Sequence, residues 1–148
     1  MQKFTINSFK DEYKKFSNFH PVVILYEGRN YPSVEHAYVA AKTKDEMFRK
    51  KVSELQENEA GIAKHMGRKI KLRKNWELIK YSLMKRFLYQ KFTRDKFKSL
   101  LLSTGNSYIE EGNYWHDNYW GNCYCKKCEK IEGKNKLGKL LMEIRGNI

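Results

Sequence analysis

The sequence predicts an α+β fold: a compact, mostly helical single domain over residues 1–148, with a small antiparallel β element. Three observations predict it. The chain has 148 residues, enough to bury roughly 68–70% of the surface an unfolded chain exposes and short for two domains. Its one sustained apolar run, Val22 to Tyr26, is followed by a turn and a second strand signal. Elsewhere apolar residues recur at three- and four-residue steps, most clearly from Trp76 to Phe92.

The elements follow in order. Val22-Val23-Ile24-Leu25-Tyr26 reads as a buried strand, Glu27-Gly28-Arg29-Asn30 as a turn, and Tyr31 as the start of a second short strand. Ser33 is placed to cap a helix beginning at Val34. On it Glu35, Tyr38, Val39 and Lys42 share a face, and a carboxylate, an aromatic and a lysine suit a pocket wall better than a core. Helices are expected over Asp45–Glu54, and over Asn58–Met66 ending at Gly67. In Trp76–Phe92 one stripe is Trp76, Ile79, Leu83 and Phe87, widened by Met84, Leu88 and Phe92, which is core packing. A helix over Arg94–Ser103 closes at Thr104-Gly105, and Ile109–Glu111 is short and extended. Gly112 to Gly133 reads as one long loop of aromatics, Gly, Asn and Cys, a length that in small domains goes with function. Asn135–Arg145 closes the chain as a helix with Leu137, Leu140, Leu141 and Ile144 inward.

Charge narrows the partners. Lys and Arg number 30 against 17 Asp and Glu, a formal net charge of +13, which attracts polyanions or phosphorylated small molecules, or simply solvates a lysine-rich surface. Lys64, Arg68, Lys69, Lys71, Arg73 and Lys74 are the densest basic stretch. It reads as a solvated face or as a phosphate clamp, with Arg68 and Arg73 the better candidates because guanidinium forks phosphate oxygens. No apolar run approaches the about 18 residues of a membrane span, and Met1–Phe16 lacks a signal-peptide core. A cytoplasmic protein is therefore expected. Walker, dinucleotide-Gly, Gly-x-Ser-x-Gly and His-Glu-x-x-His motifs are all missing, which excludes the simplest forms of several enzyme classes.

The long loop holds most of the chemistry. Cys123, Cys125 and Cys128 form a Cys-x-Cys-x-x-Cys clump to which His116 could add a fourth zinc ligand. Structural zinc sites usually come as two separated pairs, so a turn with reduced thiols is the favoured alternative, and any zinc is expected to be structural. Glu35, Glu111 and Asp117 each stand near aromatic residues. Poor solvation there raises a carboxyl's proton affinity, or the charged form faces a cationic transition state.

Taken together these residues resemble a known family. Phe16-Ser17-Asn18-Phe19-His20-Pro21, then Tyr31-Pro32-Ser33-Val34-Glu35-His36-Ala37-Tyr38 with Ala41-Lys42, are similar to the opening motifs of the NADAR (NAD- and ADP-ribose-associated) family. The resemblance continues in Gly67-Arg68, Arg73, Trp76, Lys91-Phe92, Glu111-Gly112-Asn113, Trp115, Asp117, Tyr119-Trp120-Gly121, Gly133-Lys134-Asn135 and Leu137-Gly138. It spans Phe16 to Arg145. It departs in lacking Gln at Val39-Ala40 and in carrying the Cys-rich insertion of only some members.

The resemblance implies a metal-free, cofactor-free N-glycoside hydrolase of mostly helical α+β fold, cleaving between ribose C1 and an exocyclic amine of a base. The implied substrates are phosphorylated riboflavin-biosynthesis intermediates or ADP-ribosylated guanine in nucleic acid, the latter with an ADP-ribosyltransferase as partner. Cleavage builds positive charge on C1, so a carboxylate lowers the barrier and a proton must reach the departing nitrogen. Glu35 is the first choice for that work and Asp117 the second. A route through ribose opening and a Schiff base would use Lys42 with its pKa lowered by burial. Tyr38, Trp115 and Trp120 are expected to stack on the base, and Asn18, Arg68 and Asn135 to hold ribose or phosphate. Phe19, His36 and Glu111 complete the expected binding set. The competing class is a non-catalytic binder of ADP-ribose or nucleic acid, and a zinc-held interaction module is the third.

Overall fold

The hairpin forms, with a tighter turn and a less buried first strand than the sequence suggests. In the computed structural model, which describes residues 5–148, the order is β1 (Thr5–Ile6), a 3-10 helix (Asp11–Phe16), β2 (Ile24–Tyr26), β3 (Arg29–Tyr31), α1 (Val34–Ala41), α2 (Glu46–Ser53), α3 (Ala60–Gly67), α4 (Trp76–Phe92), α5 (Asp95–Ser103), β4 (Tyr108–Ile109), β5 (Gly112–Asn113), β6 (Asn122–Cys123), a 3-10 turn (Lys126–Cys128) and α6 (Lys136–Arg145). The first four residues of the expected 1–148 domain lie outside the described residues. This is the mostly helical α+β architecture expected. The chain divides into two compact units, one of residues up to Phe16 with Phe92–Ile148, the other Ser17–Lys91.

In the Ser17–Lys91 unit, β2 and β3 pair antiparallel, Ile24 opposite Tyr31 and Tyr26 opposite Arg29. The turn is the two residues Glu27 and Gly28, both at positive φ (45° and 77°), which matches the right-handed twist of the strands. Arg29 and Asn30 therefore belong to β3 and not to the turn. Val22–Tyr26 is not buried throughout: Val23 and Leu25 are 52% and 54% exposed while Ile24 and Tyr26 are buried. A two-stranded sheet covered on one face alternates, and only a sheet covered on both faces carries a continuous apolar run. Leu25 still has its backbone satisfied, because its N–H donates to Gln90 Oε1 at 2.9 Å and its carbonyl accepts from Gln90 Nε2 at 2.7 Å.

Helix α1 starts where Ser33 predicts. Ser33 is extended, and its Oγ accepts the His36 N–H at 3.1 Å, a cap contributing about 1 kcal/mol. All eight residues of α1 are buried, and it packs against α2, α3 and β2. Asp45 caps α2, accepting from Met47 N at 3.0 Å. Buried Arg49 on α2 ties the hairpin down by donating to Glu27 Oε2 at 2.7 Å. Helix α3 includes Gly67 instead of stopping at it, since Arg68 remains right-handed as the C-cap. Helix α4 has the expected bounds. Trp76, Leu83, Met84, Phe87, Leu88 and Phe92 are all buried.

The other unit is held by aromatic rings. Phe16 lies 5.9 Å from Phe92 between centroids, and Phe92 lies 6.2 Å from Phe97. Helix α5 packs on α6 and on the 3-10 helix, and α6 packs on β4. Two parallel pairings not expected from sequence occur here, β1 with β4 and β5 with β6. The long loop is therefore not structureless: it holds β5, β6 and a 3-10 turn.

Candidate active site

The sequence-predicted residues fall into two sets, one in each unit. The first is built on α1. Because α1 is buried on every side, a charged residue at its C-terminal end reaches solvent only past its neighbours. Lys42 is the C-cap of α1. Its Nζ stands 5.5 Å over the Tyr38 ring, and Tyr38 in turn packs on Trp76 at 5.1 Å between centroids. Burial pushes the Lys42 ammonium below the usual lysine range. Glu35 opposes that shift, and the like charges of Lys64, Arg68 and Lys80 add to it. One amine thus has a carboxylate, an aromatic ring and three cations as electrostatic neighbours.

Asn18 and Phe19 lie on the loop before β2. The Asn18 carbonyl accepts the Glu35 N–H at 3.0 Å, so the segment and α1 are locked together. The Asn18 side-chain Oδ1 is buried without a hydrogen-bond partner, although its Nδ2 reaches Met84 Sδ at 3.6 Å. An orphaned buried acceptor is uncommon and suits a ligand hydroxyl. Phe19 is exposed, with Lys64 Nζ 5.7 Å over its ring. Arg68 is exposed.

Two residues in this set spend donors on the scaffold. His36 is fully buried. Its Nε2–H donates to the Gln56 carbonyl at 3.2 Å, and its Nδ1 lies 2.6 Å from Ser33 Oγ. Burial lowers its pKa, so the neutral ring accepts from the Ser33 hydroxyl. With both nitrogens engaged, His36 fixes the start of α1. Arg73 turns to the end of α1: its backbone N–H donates to the Lys42 carbonyl at 2.7 Å and its guanidinium to the Ala41 carbonyl at 3.4 Å, while its Nε is buried without a partner. It closes the orphaned carbonyls at the end of α1, as a cation there should. Of the basic stretch, Lys69, Lys71 and Lys74 are exposed, the solvated-face alternative.

The second set surrounds Asn113, which the sequence places within the Glu111-Gly112-Asn113 motif but gives no role. Its Nδ2 donates to the Asp117 carbonyl at 2.9 Å and to Glu111 Oε2 at 3.3 Å. Its Oδ1 accepts from Trp115 N at 3.3 Å and Asp117 N at 3.2 Å. A buried Asn after Gly in an aromatic-rich loop is the available signal, since its short amide competes well for backbone groups. Asp117 Oδ1 accepts from the backbone N–H of Tyr119 at 3.1 Å and of Trp120 at 2.9 Å. One carboxylate oxygen thus shapes the turn that carries Trp120, whose ring meets Tyr119 edge to face at 4.7 Å.

Asn135 ties the scaffold together. It is buried in the left-handed region (φ 48°). Its Nδ2 donates to the Ile109 carbonyl at 2.9 Å and to Tyr108 Oη at 3.2 Å, and its Oδ1 accepts from Glu111 N at 2.9 Å. Both amide donors are engaged. Glu111 is buried beside Gly121, where an added Cβ would fall 1.9 Å from its Oε2. Trp115 is 51% exposed.

The fold is that of a NADAR domain, and the chain belongs to that family, whose NADAR domain matches residues 4–148. It is 37% identical over 150 residues to the N-glycosidase YbiA of Escherichia coli, covering 98% of this chain and 89% of that protein. It superposes on the NMR structure of E. coli YbiA with a TM-score of 0.80 at 34% identity, over 99% of this chain and 86% of that one. An N-glycosidase of Nostoc punctiforme is 33% identical over 140 residues, 92% of this chain and 86% of that protein. The chloroplastic riboflavin biosynthesis protein PYRR of Zea mays is 32% identical over 154 residues, 93% of this chain and 24% of that protein. These relatives make the chain a hydrolase acting on N-glycosyl bonds. No helix among the described residues is long and apolar enough to cross a membrane.

Proposed function

We propose that the enzyme cleaves the bond between ribose C1 and an exocyclic amine nitrogen of a phosphorylated riboflavin-biosynthesis intermediate, releasing ribose 5-phosphate. The observation that carries this reading is the pairing of Glu35 with Lys42 on α1, with the Lys42 pKa lowered by burial and by Lys64, Arg68 and Lys80. A riboside on an exocyclic nitrogen can open its ring, leaving C1 as an imine. Neutral Lys42 Nζ then adds to C1, the Glu35 carboxylate carries the protons that Nζ sheds over to the base nitrogen, and the base departs as its amine, leaving C1 as the Lys42 imine. Water adds to the Lys42 imine and expels Lys42, giving the free sugar phosphate. A ring-closed oxocarbenium route asks only for the Glu35 carboxylate. Exposed Phe19 offers a ring face for the base while buried Tyr38 backs Lys42, and the orphaned Asn18 Oδ1 offers an acceptor for a ribose hydroxyl and exposed Arg68 a fork for the phosphate. Asp117 keeps a supporting role, holding the turn of Trp120, and Trp115 is the exposed stacking candidate of its loop. The riboflavin name of the maize relative supports this substrate class.

A second substrate is favoured by the net charge of +13: guanine bearing ADP-ribose in nucleic acid, supplied by an ADP-ribosyltransferase. The same C1–exocyclic nitrogen bond is broken, with the polyanion held by phosphate contacts. Incubating the protein separately with a phosphoribosylamino-pyrimidine intermediate and with ADP-ribosylated guanine DNA tests both. Release of ribose 5-phosphate from the first supports the primary reading. Release of ADP-ribose only from the second, with turnover falling steeply as salt rises, replaces it. Binding without release from either overturns both and leaves the ADP-ribose or nucleic-acid binder.

A further inference from the structure

A second chemical site lies in the Cys-rich excursion and takes no part in the reaction above. His116 Nδ1 lies 3.2 Å from Cys125 Sγ, 3.4 Å from Cys128 Sγ and 4.0 Å from Cys123 Sγ. The four donor atoms all fall within 4.8 Å of one another. In tetrahedral zinc with three thiolates and one imidazole, Zn–S of about 2.3 Å and Zn–N of about 2.0–2.1 Å set donor separations of roughly 3.5–3.8 Å. The observed distances bracket that figure. Their scatter is what a few tenths of an ångström of side-chain adjustment removes.

The surroundings agree. All three cysteines are free thiols, so no disulfide competes for the sulfurs. Cys123 and Cys128 are buried. The His116 and Cys125 backbone N–H groups point at Cys123 Sγ, at 3.3 Å and 3.5 Å, as they would toward a thiolate. His116 sits at φ 70°, a conformation disfavoured for a side chain with Cβ, and there it presents Nδ1 to the three sulfurs.

The segment also needs a cross-link. It is pinned at its base, where Gly133 N donates to Asn122 Oδ1 at 2.9 Å and Asn135 N to the Gly121 carbonyl at 3.1 Å. Between these pins its large apolar residues, Tyr124 and Ile131, are about half exposed. An excursion without an apolar core is held by a disulfide or a metal. Three thiolates and an imidazole select zinc over the hard cations that prefer oxygen.

We propose that His116, Cys123, Cys125 and Cys128 bind one zinc ion as a closed, structural four-ligand site. With four protein ligands no position is left open for water or substrate, so the ion organises and does not catalyse. It joins the residue preceding Asp117 to the strand and 3-10 turn beyond Gly121, and so braces the turn that presents Trp120.

The test uses the full chain purified without a histidine tag and reconstituted with zinc under reducing conditions. Elemental analysis is expected to find about one zinc per chain, and cobalt in its place should give the spectrum of a tetrahedral thiolate site. Zinc should protect the thiols from a thiol reagent and should protect Lys126, Lys127 and Lys130 from trypsin. Cys125→Ser and Cys128→Ser should lose stoichiometric zinc. If either fails to fold, His116→Ala decides: His116 is exposed, and its loss should weaken zinc binding about tenfold or more. Zinc bound with wild-type stoichiometry and affinity by every variant that folds, or three thiols that react as fast with zinc as without it, overturns the proposal.

Discussion

Lys42 Nζ stands 5.5 Å over the ring of Tyr38, one helical turn earlier on α1. The pair shows how a helix buried all round still offers a reactive group. Burial disfavours the charged amine, and three cations nearby add to that. If Lys42 is the nucleophile, Lys42→Arg should lower kcat by about a thousandfold or more, because arginine keeps the charge but is never a neutral amine. Borohydride added during turnover should attach the sugar phosphate to the wild-type chain and not to the variant, read by mass spectrometry. Unchanged turnover in Lys42→Arg would remove the Schiff-base route.

Glu35 has a separable signature. Glu35→Gln keeps the shape and the N–H to the Asn18 carbonyl, so folding should persist while kcat falls about a hundredfold or more. Glu35 also holds the Lys42 pKa up against burial. Removing its charge should lower that pKa further. The limb on which activity rises with pH, as Lys42 loses its proton, should therefore move to lower pH in the residual activity. A limb that stays in place would separate the two residues.

Gly121 tests the Asn113-centred set. A Cβ there would fall 1.9 Å from Glu111 Oε2 and 2.1 Å from the Glu111 carbonyl, and backbone cannot step aside. Gly121→Ala should destabilise by about 1–3 kcal/mol or more, seen as a lowered Tm. Gly61→Ala on α3, whose Cβ would make an ordinary 3.9 Å contact with Phe19, should be neutral or stabilising by about 0.5–1 kcal/mol.

The helices were legible because their signals are local. Ser33, Asp45 and the Trp76–Phe92 stripe act within one or two turns, and the structure starts or bounds helices there. The Glu35–Tyr38–Lys42 face was legible for the same reason. What pairs across long separations was not. Thr5 beside Tyr108 and Gly112 beside Asn122 are two-residue parallel ladders, too short to leave a periodic trace. The scaffold contacts of His36, Arg73 and Asn135 were not legible either, for a common reason. Each carries donors a ligand would want, yet each uses them on backbone carbonyls, and only the folded chain shows which acceptors are in reach.

Lys91 is a position the sequence placed only within the Lys91-Phe92 motif. It is fully buried and donates to the Ser17 carbonyl at 2.8 Å, and burial lowers its pKa to about 7. An unfolded lysine keeps its proton up to about pH 10.4. Between those values the unfolded chain binds a proton that the native chain does not. This group's contribution to stability therefore rises with pH across the window, by about 1.4 kcal/mol per unit. Below pH 7 both states are protonated and the burial penalty is constant. Lys91→Met removes the titration while keeping much of the volume. Urea unfolding of both proteins at pH 7, 8 and 9 should show the wild type gaining on Lys91→Met at each step, with the variant's advantage greatest at pH 7. A stability difference that is flat across these three points would mean that Lys91 stays protonated in the native core, held by partners strong enough to offset its burial.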